Sequence, residues 1–216
     1  MIIKYFEINK KRFDENNFFL VYGENEGLKK EIIQTLKKKF HGSVENLEEG
    51  QIIYNNELFY EKLFNRSLFE KEKVIIINRC SEKIYEIVEK IIDKKISDTK
   101  IILNVNILEK RSKLRNLFEN EKELIIVPTY KDTSIALAEI AKKFFYNYKI
   151  SISQETINLL ISRCNGDRGH LKTELDKILI YINDKKNINL EEIYKLTNLA
   201  ENFSINELVD TSLSKN

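Results

Sequence analysis

The feature that most constrains this chain is a change of rhythm at Pro128, its single proline. Before it, short apolar runs alternate with stretches of helical periodicity. Phe18-Phe19-Leu20-Val21-Tyr22, Val74-Ile75-Ile76-Ile77, Ile101-Ile102-Leu103-Asn104-Val105 and Leu124-Ile125-Ile126-Val127 are rich in aromatic and branched residues and predict buried strands. Leu28, Ile32, Ile33, Leu36 and Phe40 recur at helical spacing, as do Ile84, Ile87, Val88, Ile91 and Ile92. Residues 57–66 and a short stretch around Leu114, Leu117 and Phe118 predict two more helices. Strands apolar on both faces and alternating with helices imply a parallel sheet covered on both sides. Pro128 is expected to end the last strand, because proline cannot donate to a ladder.

Beyond Pro128 only helical patterns remain. They cover Ser134 to Tyr148, a stretch from Ser153 that stops at Asn165-Gly166, a third carrying Leu171, Leu175, Ile178, Leu179 and Ile182, and a short one opened by Asn189. A further helix is expected from Phe203 onward. The expected division is an α/β domain over 1–130, a small helical domain over 131–200, and the start of another helical domain over 201–216.

Charge excludes one broad class. The 36 basic and 34 acidic residues leave a net charge of +2, so the chain as a whole is not built as a non-specific nucleic-acid binder. Lys37-Lys38-Lys39 and Lys142-Lys143 read as solvated helix faces. Cys80 and Cys164 match no metal-ligand spacing and read as unpaired thiols. No apolar run approaches the roughly 18 residues of a membrane span, and no signal peptide is legible, so a cytoplasmic location without membrane contact is expected.

An α/β domain followed by a helical one is the layout of AAA+ ATPases, which makes the turn after the first strand informative. A phosphate-binding loop reads G-x-x-x-x-G-K-[ST]. Here the turn reads Gly23-Glu24-Asn25-Glu26-Gly27-Leu28-Lys29-Lys30, with the glycines one residue too close, no hydroxyl after the lysine and two carboxylates in the loop. Those acids oppose a triphosphate where a helix N-terminus attracts one. Asn78-Arg79-Cys80 ends the second apolar strand without a metal-orienting acid. Asn104 stands where AAA+ proteins often place a phosphate-sensing polar residue, and an ordinary strand-end polar residue accounts for it as well. Gly166-Asp167-Arg168-Gly169 resembles the start of an arginine-bearing lid helix with the arginine one position early. His41 and His170 have no catalytic pattern around them, and pairs such as Glu48-Glu49 read as solvated. No cofactor, metal or catalytic residue is expected.

The most telling stretch runs from Leu63 to Ile77. A helix with apolar residues Phe59 and Leu63, or Tyr60 and Phe64, ends in Ser67-Leu68-Phe69; four charged residues follow and a buried strand begins. By spacing alone, Leu68 and Phe69 either cap the core under that strand or form a plug at a solvated tip for another protein's pocket, the cap being the simpler reading. The stretch also resembles the clamp-binding element of the delta family of DNA polymerase III clamp loader subunits. In that family the Leu and Phe enter a hydrophobic pocket of the sliding clamp, which implies the same role for Leu68 and Phe69, with Ser67 beside them. Phe19 to Glu26 is similar to the family's opening strand and degenerate loop, and Lys110-Arg111-Ser112-Lys113-Leu114 to its Lys-rich segment. Gly166-Asp167 with Leu171, Glu174, Leu175 and Ile178 resembles its lid helix, and residues 200–210 the segment entering its collar.

The resemblance implies an AAA+-like (RecA-type) parallel sheet flanked by helices, followed by a helical lid domain. It implies a non-catalytic subunit of a DNA-directed DNA polymerase holoenzyme that opens the beta sliding clamp without ATP during replication. Implied partners are the beta clamp, the delta-prime and gamma/tau subunits, and primer-template DNA within the assembled loader. The helical collar that family members carry is expected to be absent, since the sequence ends at its start. A delta-prime-like subunit, a divergent AAA+ ATPase and a DNA-binding module are the alternatives.

Overall fold

The computed structural model describes residues 1–40, 42–64, 72–94, 96, 98–183 and 187–196. The chain divides into two compact units, Met1–Tyr130 and Lys131–Asn216.

In the first unit, five parallel strands form one sheet among the described residues: β1 (Phe18–Gly23), β2 (Ser43–Glu48), β3 (Lys73–Cys80), β4 (Thr99–Val105) and β5 (Leu124–Thr129), in the order β2-β3-β4-β1-β5. The helices are α1 (Glu26–Lys39), α2 (Glu49–Tyr54), α3 (Asn56–Phe64), α4 (Tyr85–Asp93) and α5 (Lys113–Asn120). Because side chains alternate along a strand, neighbouring residues serve opposite cores. Phe19 and Val21, with Ile102 and Ile125, join Leu28, Ile32 and Leu36 of α1 on one face. Leu20, Leu103 and Ile126 join Ile91 of α4 and Phe118 of α5 on the other. The register aligns Phe19 with Ile102 and Ile125, and Leu20 with Leu103 and Ile126, so each face presents continuous apolar rows.

Two edges depart from the sequence expectation. β2 carries only two apolar residues in Ser-Val-Glu-Asn-Leu-Glu and escapes a search for apolar runs. None of its residues is buried, because it pairs on one side only, and a Lys73–Glu45 ion pair at 2.6 Å ties it to β3. At the other edge, Pro128 does not end β5 but lies within it, opposite Tyr22. Ile126 directs its N–H and C=O outward, to the Met1 carbonyl (3.1 Å) and the Ile3 amide (2.9 Å). Pro128, two residues on, faces the same outer side, where no ladder bond is required of it. Lys100, buried at the start of β4, donates to the carbonyls of Phe13, Asp14 and Asn16 and to Asn17 Oδ1, fixing the segment that leads into β1.

The second unit contains α6 (Ser134–Asn147), α7 (Gln154–Arg163), α8 (Arg168–Ile182) and α9 (Leu190–Leu196), closed around Leu137, Phe145, Leu160, Leu171, Leu175 and Ile178. Side-chain oxygens of Thr133, Ser153, Asp167 and Asn189 accept backbone amides at the four helix starts. At the last of these Glu192 returns a bond to the Asn189 amide, making a reciprocal box. After α7, Asn165 and Gly166 take positive φ (46° and 76°), as its expected stop requires. The helix expected from Phe203 lies outside the described residues.

Phe19 is fully buried and packs between Phe13 (ring centroids 5.5 Å) and Phe40 (5.3 Å). Phe19→Ala is expected to cost about 3–5 kcal/mol of stability, read as a lower urea midpoint at unchanged slope.

Candidate functional site

In a parallel sheet the carboxyl ends of the strands, where successive connections depart in opposite directions, are the usual ligand crevice. Here that point is the end of β1, since the chain leaves β1 toward β2 and later crosses back over it from β4 to β5. The turn from β1 into α1 occupies the place of a phosphate-binding loop, and its polar groups face inward. Gly23 has φ +135°, and a Cβ there would stand 2.2 Å from the Thr129 carbonyl oxygen, so only glycine fits against β5. The Gly23 amide donates to the Asn106 carbonyl (3.2 Å) and the Asn25 amide to that of Thr129 (3.3 Å). Asn25, itself buried, caps α1 by accepting from the Leu28 amide (3.0 Å) and donates from Nδ2 to the Tyr130 carbonyl (3.1 Å).

Lys29 completes the closure. It is 1% exposed, and its ammonium donates to the Val105 carbonyl at the end of β4 (3.1 Å) and pairs with Glu26 Oε1 at 2.6 Å. One of the two loop carboxylates that the sequence sets against a triphosphate is thus paired with the lysine of the same turn. Sequence reasoning weighs Lys29 only against a phosphate loop and so misses its burial. The signal lies in its spacing, one helical turn before Ile32 and two before Leu36 on the apolar stripe.

The neighbouring strand ends are likewise occupied. Asn104 on β4 donates from Nδ2 to Asn78 Oδ1 on β3 (3.2 Å), so two amides meet where an acid and a sensing residue would face a nucleotide and its metal. Glu48 and Glu49 are not merely solvated. Glu48 pairs with Arg79 at 2.7 Å, and Glu49 accepts from the amide and hydroxyl of Ser81, because β2, unread in the sequence, brings them to the end of β3. Glu82 accepts from Ser112 and from the amides of Lys113 and Leu114 at the start of α5. Between these ends lies a groove of about 450 Å³ whose lining includes Arg79, Asn106, Ile107 and Arg111. Among the described residues no group of three or more His, Cys, Asp or Glu side chains could hold a metal ion.

In the second unit, Arg168 at the start of α8 forms a two-point pair with Asp132, Nε to Oδ2 at 2.9 Å and Nη2 to Oδ1, with both side chains under a tenth exposed. The arginine of the lid-like motif is therefore bound within its own unit. Ser67, Leu68 and Phe69 lie outside the described residues, as does His41. The helix leading to them is described: α3 buries Phe59 and Leu63 in the core and stacks Tyr60 on Phe64 (6.2 Å, 13° between planes), with Lys94 Nζ 4.3 Å from the Phe64 ring centre.

No protein-family model matches the sequence. A probable DNA polymerase III subunit delta of Aquifex aeolicus is 23% identical over 211 residues, which are 91% of this chain and 59% of that protein. Among solved structures, the clamp loader delta protein of Bacillus subtilis matches with a TM-score of 0.52 at 14% identity, over 89% of this chain and 62% of that one. This chain resembles the delta subunits of DNA polymerase III. It spans about three fifths of the length of both relatives. Domain III of the Thermotoga maritima replication initiation protein DnaA (TM-score 0.54, 15% identity, 89% of this chain and 88% of that one) has a similar fold. So does the RuvB branch migration motor of the same organism (0.58, 15%, 83% and 60%). These neighbours place the fold with the AAA+ type, as the alternation of strands and helices predicts. No described helix is long and apolar enough to cross a membrane.

Two outcomes follow from these geometries. Asp132→Ala, which strands the buried Arg168, is expected to cost about 3–5 kcal/mol, while Asp132→Leu with Arg168→Met costs far less; urea unfolding of single and double variants separates them. Burial, reinforced by the nearby Glu174 and Asp167 carboxylates, pushes the Cys164 thiol from 9.0 up to about 12. Burial also raises the thiol of Cys80. Stability carried by the protonated thiols is fully present below about pH 9 and is lost as the pH rises toward 12. Iodoacetamide at pH 8 should leave both cysteines unmodified in the native chain and label both in urea, as read by intact mass.

Proposed function

We propose that this chain is the non-catalytic delta subunit of a DNA polymerase III clamp loader, which binds the beta sliding clamp and opens it without ATP. The observation that carries the reading is the engagement of Lys29 with the Val105 carbonyl and Glu26 in a protein similar to delta subunits over nearly its whole length. A turn whose glycine and asparagine amides and whose lysine are held by β4, β5 and α1 has little left to offer a nucleotide. The chain then acts by binding rather than by chemistry, as a subunit beside the delta-prime and gamma/tau subunits, with primer-template DNA held in the assembled loader. A cytoplasmic location accords with that role.

Ser67, Leu68 and Phe69 are the proposed clamp contact. Support comes from their place in the sequence: they follow α3, which Phe59 and Leu63 fix to the core, so a partner-facing pair beyond Phe64 starts from a rigid base. Tyr54, 93% exposed, and Leu58 are exposed apolar residues of α2 and α3 and further candidates for contact. Opening without hydrolysis requires only that the chain bind the open clamp more tightly than the closed one.

The test is binding to the beta clamp of the same organism without nucleotide, for the native chain and for Leu68→Ala/Phe69→Ala. Burial of two such side chains as hot spots predicts a loss of about 4 kcal/mol, roughly a thousandfold in affinity, in a still-folded variant. Calorimetric titration with Mg-ATP should show no heat of binding. Equal clamp binding by native and variant chains would move the contact elsewhere. ATP binding together with absence of clamp binding would overturn the reading in favour of an ATPase.

A further inference from the structure

The net charge of +2 hides a strong local imbalance. Residues 4–15 and 37–39 together carry seven cations against three acids, an excess of four, so the rest of the chain is slightly acidic. The two segments are separate in sequence and joined in space. Lys39, half-buried in the last turn of α1, donates from Nζ to the carbonyls of Asn9 (3.3 Å) and Lys11 (3.1 Å). That clasp brings the end of α1, where Lys37 and Lys38 are exposed, against the loop bearing Lys10, Lys11 and Arg12. The dipole of α1 accounts for cations in its last turn. It does not account for three more on a loop brought against that turn, where like charges repel.

The second observation is aromatic. Tyr5 and Phe6, 40% and 53% exposed, stand edge to face at 5.5 Å beside this loop, with Lys4 Nζ 5.9 Å from the Phe6 ring centre. Glu7, an acid beside the cluster, is 3.9 Å from Lys11 and accepts from the Lys4 amide, so it is held within the surface. Cations interleaved with exposed aromatic faces suit a phosphodiester backbone whose bases are unpaired and free to stack.

We propose that this surface, formed by the first residues of the chain and the end of α1, binds single-stranded nucleic acid. Cations on the loop and on α1 neutralise phosphates, and Tyr5 and Phe6 stack bases. The surface is separate from Ser67–Phe69 in sequence and independent of the clamp reading.

The experiment is fluorescence anisotropy of a labelled 20-nucleotide oligo-dT with the full chain at salt concentrations from 50 mM upward. The native chain should bind at low salt with affinity falling steeply as salt rises. Lys10→Gln/Lys11→Gln/Arg12→Gln should weaken binding more than tenfold and flatten the log–log salt slope by about 2, at about 0.7 for each phosphate left without its cation. The clasp uses the Asn9 and Lys11 carbonyls, which these substitutions keep, and an unchanged thermal midpoint should verify the fold. Lys37→Gln/Lys38→Gln serves as an independent variant with a slope change of about 1.4. Tyr5→Ala/Phe6→Ala should lose about tenfold or more without changing the slope. Lys142→Gln/Lys143→Gln in the second unit should bind as the native chain does. Absence of binding at 50 mM salt, or equal binding by the charge variants, overturns the proposal. A duplex bound as tightly as oligo-dT, with no dependence on Tyr5 and Phe6, overturns its single-stranded assignment.

Discussion

A strand that is apolar on both faces has to be covered twice, and β1 imposes that demand on the whole first unit. Phe19 and Val21 send their side chains to the face that α1 covers, and Leu20 to the face of α4 and α5. Parallel pairing with helical crossovers supplies cover on both sides, and an interior position pairs the strand's backbone groups along both edges. β1 therefore sits inside, between β4 and β5, and the polar or proline-bearing strands fall to the edges. The polar β2 and the Pro128 end of β5 are tolerated there for one reason: an edge strand leaves one side's hydrogen bonds to others.

The same placement decides the chemistry at the carboxyl end of β1. Because β4 and β5 flank it, their terminal carbonyls converge on the turn, and its donors meet them. Gly23 and Asn25 give their amides to Asn106 and Thr129, and Lys29 gives its ammonium to Val105. A buried ammonium is costly unless fully paired, and Glu26, itself 57% exposed, supplies the counter-charge from the rim. The turn is thereby a structural joint in the position where a phosphate-binding loop stands in proteins of similar fold. Arg168 repeats this pattern in the second unit, where Asp132 holds it.

With the strand ends engaged, the proposed contacts lie away from them. Ser67–Phe69, proposed to meet the clamp, follow in sequence on α3, which Phe59 and Leu63 anchor. The proposed nucleic-acid surface gathers cations from two segments that Lys39 clasps together. Both suit a protein that works by holding partners in particular states. Differential affinity for two states of a partner is sufficient to shift it between them, and needs no reaction in the chain itself.

What the sequence by itself determined is whatever local pattern and composition carry: the four apolar strands, the described helices other than α2, their caps at Ser153 and Asn189, the stop at Asn165-Gly166, and the defects of the phosphate loop. Those are short-range properties, set by periodicity and by backbone preferences of single residues. Its Ser-Leu-Phe motif was legible only as a pattern, and nothing local says what Leu68 and Phe69 face. Tertiary structure alone decided the strand order, the existence of the polar strand β2, the outward side of Pro128, the partners of Lys29 and the meeting of Lys39 with the Asn9–Lys11 loop. Each of these depends on which segments lie side by side. That is set by the shared need to bury apolar faces across the whole chain, and no window of sequence contains it.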